Sequence, residues 1–292
     1  MGGVAEAPFV RLPNPALLFA TRAARLTELA EGHLMAPYLR FLAQIVLAQA
    51  HCVTSLPDPA PVSTEQRAQR AQHAMPPLSD DQVRGNADLL RTLENLLEQA
   101  DLQNAPDAAR DAAEAVRAMT TEERSTLATD IFGGAFPMDR VAESLFVVAA
   151  LQVHLSRLAA QLDAKDVTPA AEAICPVCGG APVSSLVVGW TQASKARYCA
   201  CSLCGTLWNH VRIKCTACGS TEGVTYHTIE DGPKTVGVEA CTKCRSYIKH
   251  LQQHEDTKID PIADDIASYA LDLLAVDQNF KRHSINPMFL TG

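Results

Sequence analysis

The chain has 292 residues, with 33 acidic against 25 basic side chains and a net charge of −8, enough length for a sizeable core and a small second domain. An acidic chain without a basic stripe lacks the electrostatic footprint of a nucleic-acid or membrane-surface binder; even segment 171–260 is nearly balanced, with nine Lys or Arg against eight Asp or Glu. The start, Met1-Gly-Gly-Val-Ala-Glu6, has no basic-then-apolar run and no stretch approaches a membrane span, so the expectation is a cytoplasmic chain without export signal or membrane insertion.

In chain order, a first helix is expected from Pro15, capped by Asn14 and stopped at Gly32, with Leu18, Ala23, Leu26 and Leu29 as its apolar positions. A second, from Pro37 to about Val53, is apolar on most sides and should be buried centrally. His51 and Cys52 at its end read as packing, because nothing nearby completes a site. Three prolines at alternate positions make Leu56-Pro57-Asp-Pro59-Ala-Pro61 a loop. Ser63…Gln66, Ser79…Gln82 and Thr120…Glu123 have capping-box spacing and mark three further helix starts, the second opening a helix from Asp80 to Ala100 with a Leu89, Leu93, Leu96, Leu97 stripe. An Ala-rich helix follows over Pro106 to Met119, Gly133-Gly134 ends the helix begun at Thr121, and a three-four apolar spacing from Pro137 to about Asp163 predicts the longest helix. Residues 1–165 therefore read as an all-α domain of six or seven helices.

Beyond the linker at Lys165 to Ala170 the texture changes to short β-branched or aromatic runs: 185–190, 196–199, 206–208 and 224–228, which suit small hairpins. Both tryptophans, with Tyr198, Tyr226 and Tyr247, fall here, and packing in a miniature core accounts for them better than base stacking does. Here too lie Cys175-Pro-Val-Cys178, Cys201-Ser-Leu-Cys204, Cys215-Thr-Ala-Cys218 and Cys241-Thr-Lys-Cys244, eight of the ten cysteines. The second four follow the first four by 40 residues throughout, which is a duplicated module, and 22 residues separate the two pairs within each. Such paired knuckles place four thiolates around one tetrahedral ion, and a reducing compartment favours metal over disulfides. Cys175, Cys178, Cys201 and Cys204 are assigned to one site, and Cys215, Cys218, Cys241 and Cys244 to a second.

Glycine follows three of the pairs (Gly179, Gly205, Gly219), but Arg245 follows the fourth, which makes that knuckle the least regular. Cys199 aligns with Glu239 of the second unit and is left out of the ligand set; His210, His227, His250 and His254 are near, but eight thiolates already fill two tetrahedra. The S₄ donor set suits iron and zinc alike. No Ser-His-Asp set, phosphate loop or His-Glu-x-x-His is present. After a polar joint at 256–261, a helix is expected over Ala263 to Ala275, where Asp264 and Asp265 suit the positive end of the helix dipole better than a catalytic pair, and the apolar tail Ser284 to Leu290 should be docked. The domains are thus 1–165 helical, 171–210 and 211–255 two Cys₄ modules, and 256–292 a C-terminal helix and docked tail: an α+β multidomain chain.

Lined up together, Val10-Arg-Leu-Pro-Asn-Pro15, Pro37-Tyr-Leu-Arg-Phe41, the eight spaced cysteines, Tyr198, Trp208, Val211-Arg-Ile-Lys-Cys215, Ala263-Asp-Asp-Ile-Ala-Ser268 and Ser284-Ile-Asn-Pro-Met-Phe289 resemble the bacterial FdhE family, cytoplasmic accessory proteins of respiratory formate dehydrogenases. The resemblance covers most of the chain. It implies a helical N-terminal domain followed by two rubredoxin-like modules, two mononuclear iron sites on the cysteines, no catalysis, and contact with the formate dehydrogenase catalytic subunit before twin-arginine export. One departure stands at Leu207-Trp208-Asn209-His210, where the family has an acid, Trp and His in succession and the His is displaced by one place. Two other functions stay open: a rubredoxin-like electron-transfer protein, for which the iron must cycle reversibly, and a zinc-ribbon nucleic-acid binder, which needs a basic patch that the charge count denies.

Overall fold

The computed structural model describes residues 7–230 and 232–290. The acidic lead on which the expected lack of an export signal rests, residues 1–6, lies outside the described residues. The helical part consists of α1 (Pro15–Leu29), α2 (Ala36–Ser55), α3 (Thr64–Gln72), α4 (Ala87–Gln99), α5 (Asp107–Ala118), α6 (Thr121–Phe132) and α7 (Val141–Ala160). Helices α1, α2, α4, α5 and α6 pack around α7, and every residue from Ser144 to Ala159 is buried. That helix corrects one expectation: with the turn before it, Met138–Ala160 is a 23-residue segment long and apolar enough to cross a membrane, yet 78% of its apolar window is buried inside the protein. Its apolarity is that of a core helix whose sides all meet protein.

Three polar groups of α7 have structural tasks. Gln152 sits between Gln49 of α2, which donates to its Oε1 at 3.0 Å, and a carbonyl of the cysteine region described below. Arg157 donates to the Leu56 and Pro57 carbonyls at 2.8 and 2.6 Å and so pins the proline loop. His154 donates to the Gln82 carbonyl at 2.8 Å, and burial pushes its pKa down to about 4.

Two helix boundaries differ from expectation. The capping box at Ser79 forms, but it caps only a 3-10 turn over Asp80–Gln82; Gly85 then takes φ +61°, and Asn86 restarts the chain as α4 by accepting from the Asp88 and Leu89 amides. The C-terminal helix is split into α8 (Ala263–Ala267) and α9 (Tyr269–Asp277) at Ser268, whose hydroxyl donates back to the Asp264 carbonyl while its own carbonyl accepts from Lys249.

The strands are β1 (Val10–Arg11), β2 (Pro182–Val187), β3 (Arg197–Cys201), β4 (Leu207–Asn209), β5 (Val224–His227), β6 (Val236–Cys241), β7 (Ser246–Leu251) and β8 (Lys281–Arg282). The repeat of 40 residues is visible in them: β2, β3 and β4 correspond to β5, β6 and β7, and each trio is antiparallel. The two trios are joined side by side, β2 pairing in parallel with β7, so that one sheet in the order β1-β4-β3-β2-β7-β6-β5 crosses the expected boundary between the modules. Its two ends differ. At one end β1, from the stretch expected to be all-α, covers β4 through Val10 opposite Trp208, and the Tyr198 hydroxyl donates to the Pro8 carbonyl at 2.6 Å. At the other end β5 is an exposed edge.

Charges tie the C-terminal segment to both layers. Arg22 and Arg25 of α1 meet Asp260 and Asp264, while Lys249 of β7 and Arg282 of β8 meet Asp265 and Asp272. Asp264 and Asp265 are 2% and 1% exposed, so what holds them is ion pairing and not the dipole of the five-residue α8. The tail is docked, with Tyr38 donating to the Met288 carbonyl at 2.8 Å and Phe289 packed against Tyr38 and Tyr269.

Candidate metal centres

Each Cys-x-x-Cys pair sits on the same local turn. In the first, the Cys175 amide donates to the Gly180 carbonyl at 2.8 Å and the Gly179 amide returns to Cys175 at 2.9 Å; in the third, Cys215, Ser220 and Gly219 repeat this at 2.8 and 3.0 Å. The residue after the second cysteine takes φ of +76°, +73° and +70° at Gly179, Gly205 and Gly219, and +58° at Arg245. The fourth knuckle is therefore regular in backbone although not in sequence. Left-handed backbone costs a side-chain-bearing residue about 1–2 kcal/mol, and Arg245 offsets this by donating to the Gln278 and Asn279 carbonyls at the end of α9 and by stacking its guanidinium 4.1 Å from the Phe280 ring centre.

The knuckles bring the eight predicted ligands together as two groups of four, with all sulfurs of a group within 4.8 Å of one another. The Sγ···Sγ separations are 3.6 Å (Cys175–Cys204) and 3.4 Å (Cys178–Cys201) in the first group, and 3.8 Å (Cys215–Cys244) and 3.9 Å (Cys218–Cys241) in the second. Four sulfurs about 2.3 Å from a tetrahedral ion would stand about 3.8 Å apart. Both groups fit a metal ion on this test, and the donor set leaves its identity between iron and zinc.

The surroundings of the two groups differ. In the first, every cysteine is at most 4% exposed. Amides of Val177, Gly180, Leu203 and Cys204 each point at a sulfur 3.4 Å away, and the Thr206 hydroxyl lies 3.1 Å from Cys204 Sγ. Such contacts spread the negative charge of a thiolate. The helical part grips both of its loops: Leu78 donates to the Val177 carbonyl at 3.0 Å, and Gln152 of α7 donates to the Ser202 carbonyl at 2.9 Å. Burial, and after it crowding with like thiols, hold the Cys175 thiol well above its ordinary range, so ionising it calls for a cation at the centre of the group. In the second group Cys215 and Cys241 are buried, Cys244 is half-buried and Cys218 is exposed. Burial opposes ionisation of Cys244, but hydrogen bonds from the Ser246 hydroxyl and amide and the neighbouring thiols bring it down to about 7.

The remaining candidates lie apart from both groups. Cys199 is fully buried, which pushes its thiol up to about 11, and Cys52, up to about 12 for the same reason, packs against Thr92 while His51 faces solvent. His210 is 3.2 Å from the Lys214 carbonyl and burial holds it down at about 4; His250 pairs with Ser185 and lies tilted against the Tyr226 ring, with burial taking its pKa down to about 3. The supports that spacing did not reveal are Gln152, Thr206 and the buried pair Arg197–Glu239. The 40-residue register contained a signal for the last, since it sets an acid at the position of an inert thiol; the acid needs a cation, and Arg197 of the first unit supplies it at 2.5 Å while donating to Lys214 and Thr216 between the units.

Comparison with known proteins follows the same lines. Family models described as "FdhE, N-terminal", "FdhE, central domain" and "FdhE, C-terminal domain" match residues 7–172, 174–212 and 213–289, the last joining the second unit to the tail. The chain is 42% identical over 294 residues to the "Protein FdhE homolog" of Rhizobium meliloti (strain 1021), covering 100% of this chain and 96% of that one. It is 33% identical to that of Stutzerimonas stutzeri (strain A1501), covering 98% and 93%. The crystal structure of the FdhE protein from Pseudomonas aeruginosa superposes with a TM-score of 0.87 at 32% identity, over 98% of this chain and 100% of that chain.

Proposed function

The chain belongs to the FdhE family, and from that premise we propose that it is a cytoplasmic accessory protein needed for a respiratory formate dehydrogenase to become active. In this reading it is not an enzyme: it holds two Cys₄-bound ions, iron by the family resemblance, and binds the catalytic subunit before twin-arginine export. The observation that carries the reading is that family membership runs through the whole chain, both groups of four cysteines included. Chemistry supports the lack of turnover, because four thiolates complete a tetrahedron and leave no position for substrate.

The surface we assign to the partner is the sheet region with the cleft of about 690 Å³ between α1, the first unit and segment 253–261, lined by Arg11, Leu18, Trp190, Leu207 and Lys258. Beside the second unit the connecting loop exposes Val211 and Ile213, next to exposed Tyr226. Loops on a rigid scaffold are where recognition concentrates. In a host lacking its own family member, the full chain should restore formate dehydrogenase activity and capture the catalytic subunit. Val211→Glu with Ile213→Glu should weaken capture by about tenfold or more, whereas Leu47→Glu on α2, also exposed, should not. Equal capture by the first variant moves the partner surface elsewhere, and failure of the unaltered chain to restore activity overturns the function. A second reading, a rubredoxin-like electron carrier, draws support from the exposed Cys218, which sets the second centre at the surface. It requires iron that cycles reversibly between two oxidation states in the purified protein.

A further inference from the structure

We propose that the two centres differ in kind: the first is a permanent structural ion, and the second is the one whose ion is open to exchange with an incoming thiolate. The proposal rests on the reading that each group of four holds one ion. Duplication makes the comparison internal, since ligand type, sequence spacing and the knuckle turn recur in both while the surroundings differ. An external ligand must reach the ion, and the sulfur it displaces must have somewhere to go. At the first centre neither condition is met. All four sulfurs are buried, Leu78 and Gln152 hold the two loops from the helical side, and Leu18 and Pro13 lie against Gly205.

At the second centre both conditions are met by Cys218, which is exposed, with Cys244 half-exposed beside it. Its unit also has the open end of the sheet, since β5 is exposed where its counterpart β2 is wholly buried. The step is a ligand substitution without change of oxidation state. In a loaded centre the incoming thiolate would take the place of Cys218, whose exposed sulfur has room to leave, and Cys218 would be released as a thiolate and take a proton from water, leaving hydroxide.

The test uses the full chain loaded with zinc at two ions per chain and challenged with an excess of dimercaptosuccinate, a dithiol, while metal content is followed by native mass spectrometry. A one-ion species should accumulate, its formation at least about tenfold faster than its decay. A short iodoacetamide pulse at that stage should label Cys218 and Cys244, the accessible thiols of the second group, and spare Cys175, Cys178, Cys201 and Cys204. Cys218→Ser should abolish the fast phase, and if that variant fails to fold, labelling of the unaltered chain still decides. Two ions lost at one rate, or label on the first four cysteines in the one-ion species, overturns the proposal alone. A chain that never takes up two ions overturns the premise with it.

Discussion

At the scale of single residues, Arg245 shows how a side chain can make a strained turn affordable. Arg245→Ala should lose the bonds to Gln278 and Asn279 and the Phe280 stack while keeping the left-handed strain, whereas Arg245→Gly loses the contacts but relieves the strain. The alanine variant should therefore be less stable than the glycine variant by about 1 kcal/mol, read from urea midpoints. His154 is one source of acid sensitivity, alongside His210 and the buried His250. Its folded pKa of about 4 lies below the ordinary histidine value of about 6.5, so the unfolded chain binds a proton that the folded chain refuses. Its neutral form contributes stability at and above pH 6.5, and that contribution is lost as pH falls from 6.5 toward 4. In His154→Gln, which can still donate to the Gln82 carbonyl, the fall in stability over this window should be shallower by about one proton; an unchanged slope would locate the acid sensitivity elsewhere. The eight cysteines were legible because two intervening residues and a fixed repeat leave few other chemistries. Arg245 was not, since a glycine rule says nothing of what a longer side chain reaches across the fold.

At the scale of elements, the bond between α1 and α8 is electrostatic. Arg25 and Asp264 are 9% and 2% exposed and joined at 2.6 Å, with Asp256 also 3.1 Å from the guanidinium. Removing one partner strands the other, so Arg25→Met should cost about 3–5 kcal/mol, while Arg25→Met with Asp264→Leu should recover most of it. Equal losses in the two variants, measured by guanidinium unfolding, would mean that packing and not charge holds this joint. Helix starts at Ser63 and Thr120 could be read directly, because a capping box is local chemistry. The Ser79 box was equally local but did not say how far the helix would run, and Gly85 with Asn86 decided that. Strands β6 and β7 were unmarked by composition, although the repeat offered them as the counterparts of β3 and β4.

At the scale of the whole molecule, the fused sheet and the grip of α7 on the first centre make the two metal knots unequal members of one body. Cys178→Ser should lower the thermal midpoint of the helical signal, because losing the first ion frees the Val177 and Ser202 loops from Leu78 and Gln152. Cys218→Ser should leave that midpoint within about 3 °C of the parent. Circular dichroism at 222 nm with metal analysis checks both, and equal effects would show the centres to be energetically equivalent. The helical, ribbon and tail segments were legible from texture and spacing. The parallel joint of β2 to β7 and the covering strand β1 were not, because pairings between residues so far apart in sequence leave no local trace. The ion pairs of Arg22 and Arg25 with Asp260 and Asp264 span 238 and 239 residues. A ribosome releases the two arginines almost at once and their partners only near the end of translation. Until then Arg22 and Arg25 lack their buried aspartate partners, with only Glu28 of the same helix beside Arg25, so the nascent chain stays unlatched at this joint through most of its synthesis, and a product truncated before residue 260 can never close it.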